Sequence, residues 1–344
     1  MSKLRVLIVN DSPTMRAALR ASLAREQDIE VAGEVGDGNE AVDAVVALRP
    51  DVVLMDVVMP GCDGYQATRA IMARCPTPVV MVTAAVNPRD ERVVFEALGA
   101  GALSVTQAPP APSHPSYRLA SATLAQMLRA MAGANVLGLR EAAAPTPKPA
   151  EAPHGRRVSA IGIVASAGGP PALLEIFRQL AHRMLPPVLL VQHMSRGFTP
   201  GFASWLRDAT GYPVVIPSNG AALDTGTVFI APDDQHLGIA RDGTALISTA
   251  PPVGVFRPSG DFLLSSLAQE LGPMAAAVVL SGMGQDGASG AVQLAAAGGI
   301  VVTQDAGSAA VDGMPRAVRQ RVPSARVLPL AAIPGFLLSL ANAK

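Results

Sequence analysis

Short apolar runs alternate with helix-spaced segments along nearly the whole chain, and this alternation constrains the fold more than any other feature. The run at 4–9 is continuously apolar, and in the segment 14–24 that follows, Met15, Ala18, Leu19 and Leu23 share one helical face. The pair recurs as 29–35 with 39–48, 51–55 with 64–73, 78–83 with 88–98, and 102–105 with 117–131. Runs this short, bounded by Gly or Pro, read as strands buried on both faces. Strands alternating with helices imply a parallel sheet, and five such units predict a doubly wound, flavodoxin-like domain.

The alternation stops at residues 142–153, AAAPTPKPAEAP. Alternating Ala and Pro cannot build a core and favours an extended spacer. We expect a first domain at 1–131, a Pro/Ala-rich linker at 132–156 and a second α/β domain, doubly wound and mainly parallel, at 157–344. A composition of 49% hydrophobic and 16% charged residues supports two sizeable cores. Net charge is zero, from 27 basic and 27 acidic residues, which argues against a dedicated nucleic-acid binder. Cys62 and Cys75 suggest neither a disulfide framework nor a zinc site. The opening MSKLRVLIVNDSP lacks the apolar core of a secretory signal, and no run reaches membrane-spanning length. A cytoplasmic protein is expected.

In the first domain two strand ends carry acids. Asp11 follows the first run, Asp56 follows the third within LMDVVMPGCDG, and Thr83 closes the fourth. In a parallel sheet such tips lie side by side. Neighbouring carboxylates repel unless a cation sits between them, and a hard ion such as Mg²⁺ suits oxygen donors. An aspartate beside Mg²⁺ can attack a phosphoryl group, because the metal offsets charge on the phosphate oxygens. Either acid taken alone would serve equally well as a helix N-cap. The MDxxMPxxDG string, the strand order and Thr83 together resemble the receiver domains of two-component response regulators over residues 1–130. The resemblance implies that Asp56 is the phosphoacceptor and Thr83 the phosphorylation switch. It implies Mg²⁺ ligation by Asp11, Asp56 and the Val58 carbonyl. Two positions depart from the pattern: Asn10 stands where receivers carry the first of two acids, and Ala108 where they carry a lysine before proline. The aromatic switch position is Val105. Phosphorylation at Asp56 with altered coupling or lifetime is the expectation.

The second domain repeats the plan with other chemistry at its strand ends. The run 158–165 ends at Ser166, 188–192 ends at His193, and 275–280 opens a loop, 281–287, that carries Asp286. Helix-like segments follow at 170–181, 202–210 and 288–297. Parallel strands bring their carboxyl ends to one crevice, so the attacker, proton shuttle and orienter of an acyl-transfer hydrolase would share a rim. Each residue also has a plainer reading: Ser166 as an N-cap, His193 as a structural group, Asp286 as a turn residue. The weight lies in their combination, because each follows a different strand and supplies a different role. Gly168 and Gly169 let backbone approach a substrate, and Pro170 suits a first helical turn.

The strings SAGGPPAL, QHM, APDDQHL, RPSGDFLLSSL, LSGMGQDGASG, AGG and VDGMPRAV follow the receiver and linker in this order. The series resembles the chemotaxis protein-glutamate methylesterases along nearly the entire chain. The resemblance implies Ser166 as nucleophile, His193 as general base and Asp286 as the orienter of the imidazole. Implied substrates are glutamate γ-methyl esters on methyl-accepting chemoreceptors, with methanol as product, and certain receptor glutamines, which would be deamidated. Backbone N–H groups near Ala167 or Met283 would hold the oxyanion. Hydrolysis would need no cofactor, a chemosensory histidine kinase would be the phosphodonor, and the unphosphorylated receiver would cover the active site. No nucleic-acid partner or membrane insertion is implied.

The family string around the serine is usually GASTGG, and here Val164 replaces the first glycine and Ala167 the threonine. These changes motivate an alternative, a weak or inactive receptor-docking regulator. A nucleotide-binding reading of 166–169 fits poorly, because that stretch carries neither a G-x-G-x-x-G nor a P-loop lysine. His236 and Arg257 are secondary candidates. VFEALGAGALSV, the missing receiver lysine and the SAGG form resemble methylesterases of surface-sensing (Wsp-type) systems.

Overall fold

In a computed structural model that describes residues 3–83, 88–136 and 158–341, with backbone alone at 88–92, the chain divides into two compact units at residue 137. The first unit is built from β1 (Leu4–Val9), α1 (Pro13–Leu23), β2 (Ile29–Val35), α2 (Gly38–Leu48), β3 (Val52–Asp56), α3 (Gly64–Arg74), β4 (Val79–Thr83), α4 (Pro88–Gly99), β5 (Ser104–Gln107) and α5 (Tyr117–Ala132). Its strands pair in the order β2-β1-β3-β4-β5, all parallel. This is the flavodoxin-like order, whose switch point lies between β1 and β3. β1 and β3 are wholly apolar inside because helices cover both faces: Val6 to Val9 and Val52 to Met55 are fully buried.

Helix starts follow local chemistry. Ser12 caps α1 by accepting from the Met15 N–H, with Pro13 in the first turn. Asp63 and Gln66 form a reciprocal capping box at α3. The fifth strand starts two residues later than its apolar content suggests. Ala102 and Leu103 are buried but only lead in, and the ladder continues through the polar Thr106 and Gln107 on the sheet's edge. Val136, beyond the expected domain end at 131, is still buried. The expected spacer falls mostly on 137–157, outside the described residues.

The second unit contains β6 (Ala160–Ala165), α6 (Gly169–Gln179), β7 (Val188–Gln192), α7 (Thr199–Thr210), β8 (Val214–Val215), β9 (Val228–Ile230), β10 (His236–Ile239), β11 (Ala245–Ser248), α8 (Gly260–Glu270), β12 (Ala275–Val279), α9 (Ala288–Ala296), β13 (Ile300–Gln304), α10 (Gly313–Arg321), β14 (Arg326–Leu328) and α11 (Ile333–Ala341). Seven strands form a parallel sheet in the order β14-β13-β12-β6-β7-β9-β8, while β10 and β11 make a separate antiparallel hairpin. Leu263, Leu264 and Leu267 of α8 pack onto β6, where Gly162 leaves room for them. Each leucine so buried stabilises the fold by about 1.5–3 kcal/mol. The chain leaves β6 for β7 on one side and returns to β12 on the other. A crevice at the carboxyl ends of β12, β6 and β7 is the physical consequence. No described helix is long and apolar enough to cross a membrane.

Candidate active site

Ser166 and His193 follow adjacent strands in register. Ala165 pairs with Gln192, so the next residue on each strand is the serine and the histidine. The His193 N–H donates to the Ala165 carbonyl at 2.9 Å, extending the ladder to the rim. Asp286 comes from the loop after β12, on the other side of β6, where Leu280 and Ser281 continue the ladder to Val164 and Ser166. The three residues foreseen from strand ends therefore meet on one rim of the second unit.

The Ser166 backbone is fixed from three directions. Its N–H donates to the Ser281 carbonyl at 3.0 Å, and its carbonyl accepts from the Gly169 N–H at 2.8 Å and from Gln192 Nε2 at 2.9 Å. Gln192 Nε2 also donates to the His193 carbonyl at 2.9 Å, so one buried amide ties the serine and histidine backbones together. Gly168 caps α6 with φ +73°, a left-handed conformation that favours glycine, and a Cβ there would press on Ala310 and the Ser281 hydroxyl. Pro170 and Pro171 then start the helix without needing N–H partners.

His193 Nε2 and Asp286 Oδ2 are 2.9 Å apart. Asp286 is almost completely buried, and its remaining lone pairs are also used. Oδ1 accepts from the Ser259 hydroxyl at 2.7 Å and the Asp261 N–H at 3.1 Å, and Oδ2 accepts from the Gly260 N–H. Burial by itself raises the Asp286 carboxyl pKa. The hydrogen bond from His193 and its charge, with the Gly260 N–H and the Ser259 hydroxyl, outweigh this and hold it below the usual carboxylate range. A carboxylate only accepts, so Nε2 carries the proton and Nδ1 is the basic nitrogen of His193. Nδ1 is buried without a hydrogen-bond partner among the described residues, and no bond joins it to the Ser166 hydroxyl. Such nucleophile–base bonds are often long before substrate arrives.

Sequence reasoning missed the supports. Phe256 stacks on the His193 ring at 4.5 Å between centroids and 12° between planes. Asp233 accepts from the Gly197 N–H at 2.9 Å and the Thr199 hydroxyl at 2.6 Å, pinning the loop after His193 to the start of α7. Ser259 and Gly260 could have been suspected as an N-cap before the apolar run of α8, but their aim at Asp286 is a tertiary fact. Arg257, a secondary candidate, is bonded to Asp234 at 2.8 Å and to loop carbonyls. His236, the other, is fully buried and bonded through both ring nitrogens. Val164 is buried against Gly260, whose N–H donates to Asp286, and against Gly287, the next residue after Asp286, so the valine fills space that they leave. Ala167 is nearly buried, and its carbonyl accepts from the Ser281 hydroxyl at 2.7 Å.

A second constellation lies at the carboxyl edge of the first sheet. β1 and β3 pair with Val9 opposite Met55, which places Asp56 at the end of β3 and Asp11 two residues past the end of β1. Asp56 is half-buried and its Oδ1 accepts from the Val57 N–H at 2.7 Å, while Asp11 and Val58 are exposed. Thr83 is buried at the end of β4 beside β3, and its carbonyl accepts from the Ala108 N–H at 2.8 Å. The position next to the threonine thus presents a methyl group. Asn10 is occupied as a turn former, its Oδ1 accepting from the Ser12 N–H at 2.9 Å. Among the described residues no three His, Cys, Asp or Glu side chains gather as a metal cluster would.

Comparison with known proteins yields two family matches in chain order. Residues 6–109 match the response regulator receiver domain, and residues 161–337 match CheB methylesterase. The chain is 44% identical over 318 residues to protein-glutamate methylesterase/protein-glutamine glutaminase 3 of Anaeromyxobacter dehalogenans (strain 2CP-C), covering 92% of this chain and 93% of the relative. It is 42% identical over 320 residues to protein-glutamate methylesterase/protein-glutamine glutaminase 4 of Myxococcus xanthus (strain DK1622), covering 92% and 90% respectively. The crystal structure of the Thermotoga maritima CheB methylesterase catalytic domain superposes with a TM-score of 0.51 at 34% identity, covering 53% of this chain and 98% of that domain.

Proposed function

Because the chain belongs to the CheB methylesterase family, with a response regulator receiver domain ahead of the hydrolase, we propose that it removes γ-methyl esters from receptor glutamates under phosphorylation control. One observation carries this reading: the buried, fully bonded Asp286 holds His193 Nε2 on the rim where Ser166 ends the neighbouring strand.

The chemistry follows from the hydrogen bonds. The Ser166 hydroxyl attacks the ester carbonyl as His193 Nδ1 takes its proton, and the resulting imidazolium is stabilised by Asp286. Backbone N–H groups near Ala167 or Met283, neither of which donates to a loop carbonyl among the described residues, are assigned to the developing oxyanion. His193 returns the proton to the departing methoxide, which leaves as methanol. Water, deprotonated by the same nitrogen, then attacks the acyl-serine and frees the carboxylate. A glutamine side chain offers the same carbonyl with ammonia as the leaving group, in keeping with the glutaminase activity named for the relatives.

Control is assigned to Asp56 as phosphoacceptor, with Thr83 as the switch hydroxyl. Asp11, Asp56 and the Val58 carbonyl fit Mg²⁺, which takes one or two carboxylates and keeps several waters. When bound, the ion offsets charge on the phosphoryl oxygens. The chain would act in the cytoplasm on methyl-accepting chemoreceptors, with a chemosensory histidine kinase as phosphodonor. Short strings favour a surface-sensing pathway, which the neighbouring genes would test. The His193–Asp286 bond beside Ser166 speaks against the receptor-docking alternative.

The test is methanol release from methylated receptor membranes. Ser166→Ala should lower turnover by about 10⁴–10⁶. Retained activity would remove Ser166 from its role and the proposal with it.

A further inference from the structure

His236 lies outside the triad, yet it bonds both ends of the 251–259 segment, which carries Phe256 onto His193 and Ser259 onto Asp286. It is fully buried on β10 and stacks on Phe262 at 4.6 Å and 15°. Its Nε2 lies 3.2 Å from the Pro251 carbonyl, and its Nδ1 lies 3.2 Å from the Ser259 N–H. A carbonyl only accepts and an N–H only donates, so the ring is neutral, with its proton on Nε2. Between these two anchor points the chain makes a tight hairpin. Val253 and Phe256 exchange both backbone bonds at 3.1 Å, and Gly254 takes a positive φ of 62°.

What the segment presents is specific. Phe256 lies flat on the His193 ring, and Ser259 donates its hydroxyl to Asp286 while its own N–H is held by His236. Arg257 adds bonds to the Thr249 and Ala250 carbonyls and to Asp234. The tip is otherwise open, with Val255 84% exposed, so the hairpin's placement over His193 depends on its anchored ends.

We infer that His236 is a positioning residue for the hydrolase. By bonding the Pro251 carbonyl with one ring nitrogen and the Ser259 N–H with the other, it sets Phe256 on His193 and the Ser259 hydroxyl on Asp286. The inference rests on the triad assignment. It adds a residue that touches neither substrate nor the reacting atoms.

The full chain is assayed with receptor membranes carrying tritiated methyl groups, and kcat and KM are separated. His236→Leu removes both bonds. His236→Asn keeps an acceptor at the Nδ1 position, whereas His236→Gln keeps only a group that can reach Pro251. We expect kcat of His236→Leu to fall by about 10²-fold with KM within about threefold, as for a misplaced catalytic group. His236→Asn should recover at least about tenfold of that loss and His236→Gln should not. A folded His236→Leu with wild-type kcat, a change confined to KM, or equal losses in the Asn and Gln variants would overturn the inference. Should the leucine variant fail to fold, the Asn–Gln comparison still decides. ¹⁵N spectra of histidine-labelled wild type provide a second reading: a proton on Nδ1 of His236 would also overturn it. Ser166→Ala run in parallel keeps the two ideas apart. If it is active, the triad reading fails, whereas an inactive Ser166→Ala with unaffected His236 variants sinks only this inference.

Discussion

Asp286 and Asp261 cap each other's helices. Asp286 accepts from the Gly260 and Asp261 N–H groups that open α8, and Asp261 Oδ1 accepts at 2.8 Å from the Gly290 N–H in the first turn of α9, the helix that follows Asp286. Asp286, the proposed orienter of His193, is thus part of a two-helix lock, and both helix N-termini lend it and its neighbour positive potential.

The lock has opposite pH signatures at its two ends. Burial, with the nearby Asp286 charge, raises the Asp261 pKa against the pull of its backbone bonds, so its ionised form is disfavoured in the fold. That penalty is present at neutral pH and is relieved as pH falls. Asp286 is depressed, so its contribution is present above the unfolded value of about 3.9 and is lost as pH falls through the folded value. Asp261→Asn keeps an equally good cap, because Asn ranks with Asp at helix starts. Thermal unfolding should therefore show Tm unchanged or raised by about 1–2 °C at pH 7, with any gain fading toward pH 4. Asp286→Asn should lose stability at pH 7, and the loss should shrink below about pH 4. A drop of several degrees in Asp261→Asn at neutral pH would contradict the assignment.

Gln192 joins Ser166 and His193 through their carbonyls, a role that an apolar side chain of the same length cannot fill. Gln192→Met should cost about 1–3 kcal/mol of stability, since the buried amide's bonds to two half-buried carbonyls are lost. It should also lower kcat by about tenfold, the effect of roughly 1.4 kcal/mol in the barrier, with little change in KM. Denaturant unfolding and steady-state kinetics on one preparation would measure both; an unchanged kcat argues that the two loops hold without it.

Gly168 has two reasons to be glycine, its φ of +73° and the closeness of Ala310 and Ser281. Gly168→Ala should destabilise the catalytic unit by about 1–3 kcal/mol and lower turnover, because strain at this turn moves Ser166. Calorimetry of the full chain, set beside methanol release, tests it. Full stability would mean that the turn relaxes at no cost.

Asp56 is the phosphorylation site if the strand-tip constellation works as proposed. Incubation with acetyl phosphate should label wild type and leave Asp56→Asn unlabelled, and chelation of Mg²⁺ should abolish the signal. Equal labelling of both proteins would move the site elsewhere.

The alternation of apolar runs and helical segments determined much by itself. Strands that are apolar on both faces and alternate with helices imply a covered parallel sheet, and that topology sends Ser166, His193 and Asp286 to one edge. The receiver was legible for the same reason, with Asp11, Asp56 and Thr83 at its strand ends. Local sequence could not show which groups close around those ends. Phe256 and Ser259 sit on a segment with no period of its own. That segment is bonded from other elements, by His236 to Pro251 and Ser259 and by Asp234 to Arg257. Gln192 reads as an ordinary strand residue until the sheet's register sets it beside Ser166 and His193, and the packing of Val164 against Gly260 and Gly287 is equally tertiary. Periodicity encodes which face a residue takes, a property of one element. Hydrogen-bond partners across the rim depend on how several elements pack, and only the tertiary structure decided them.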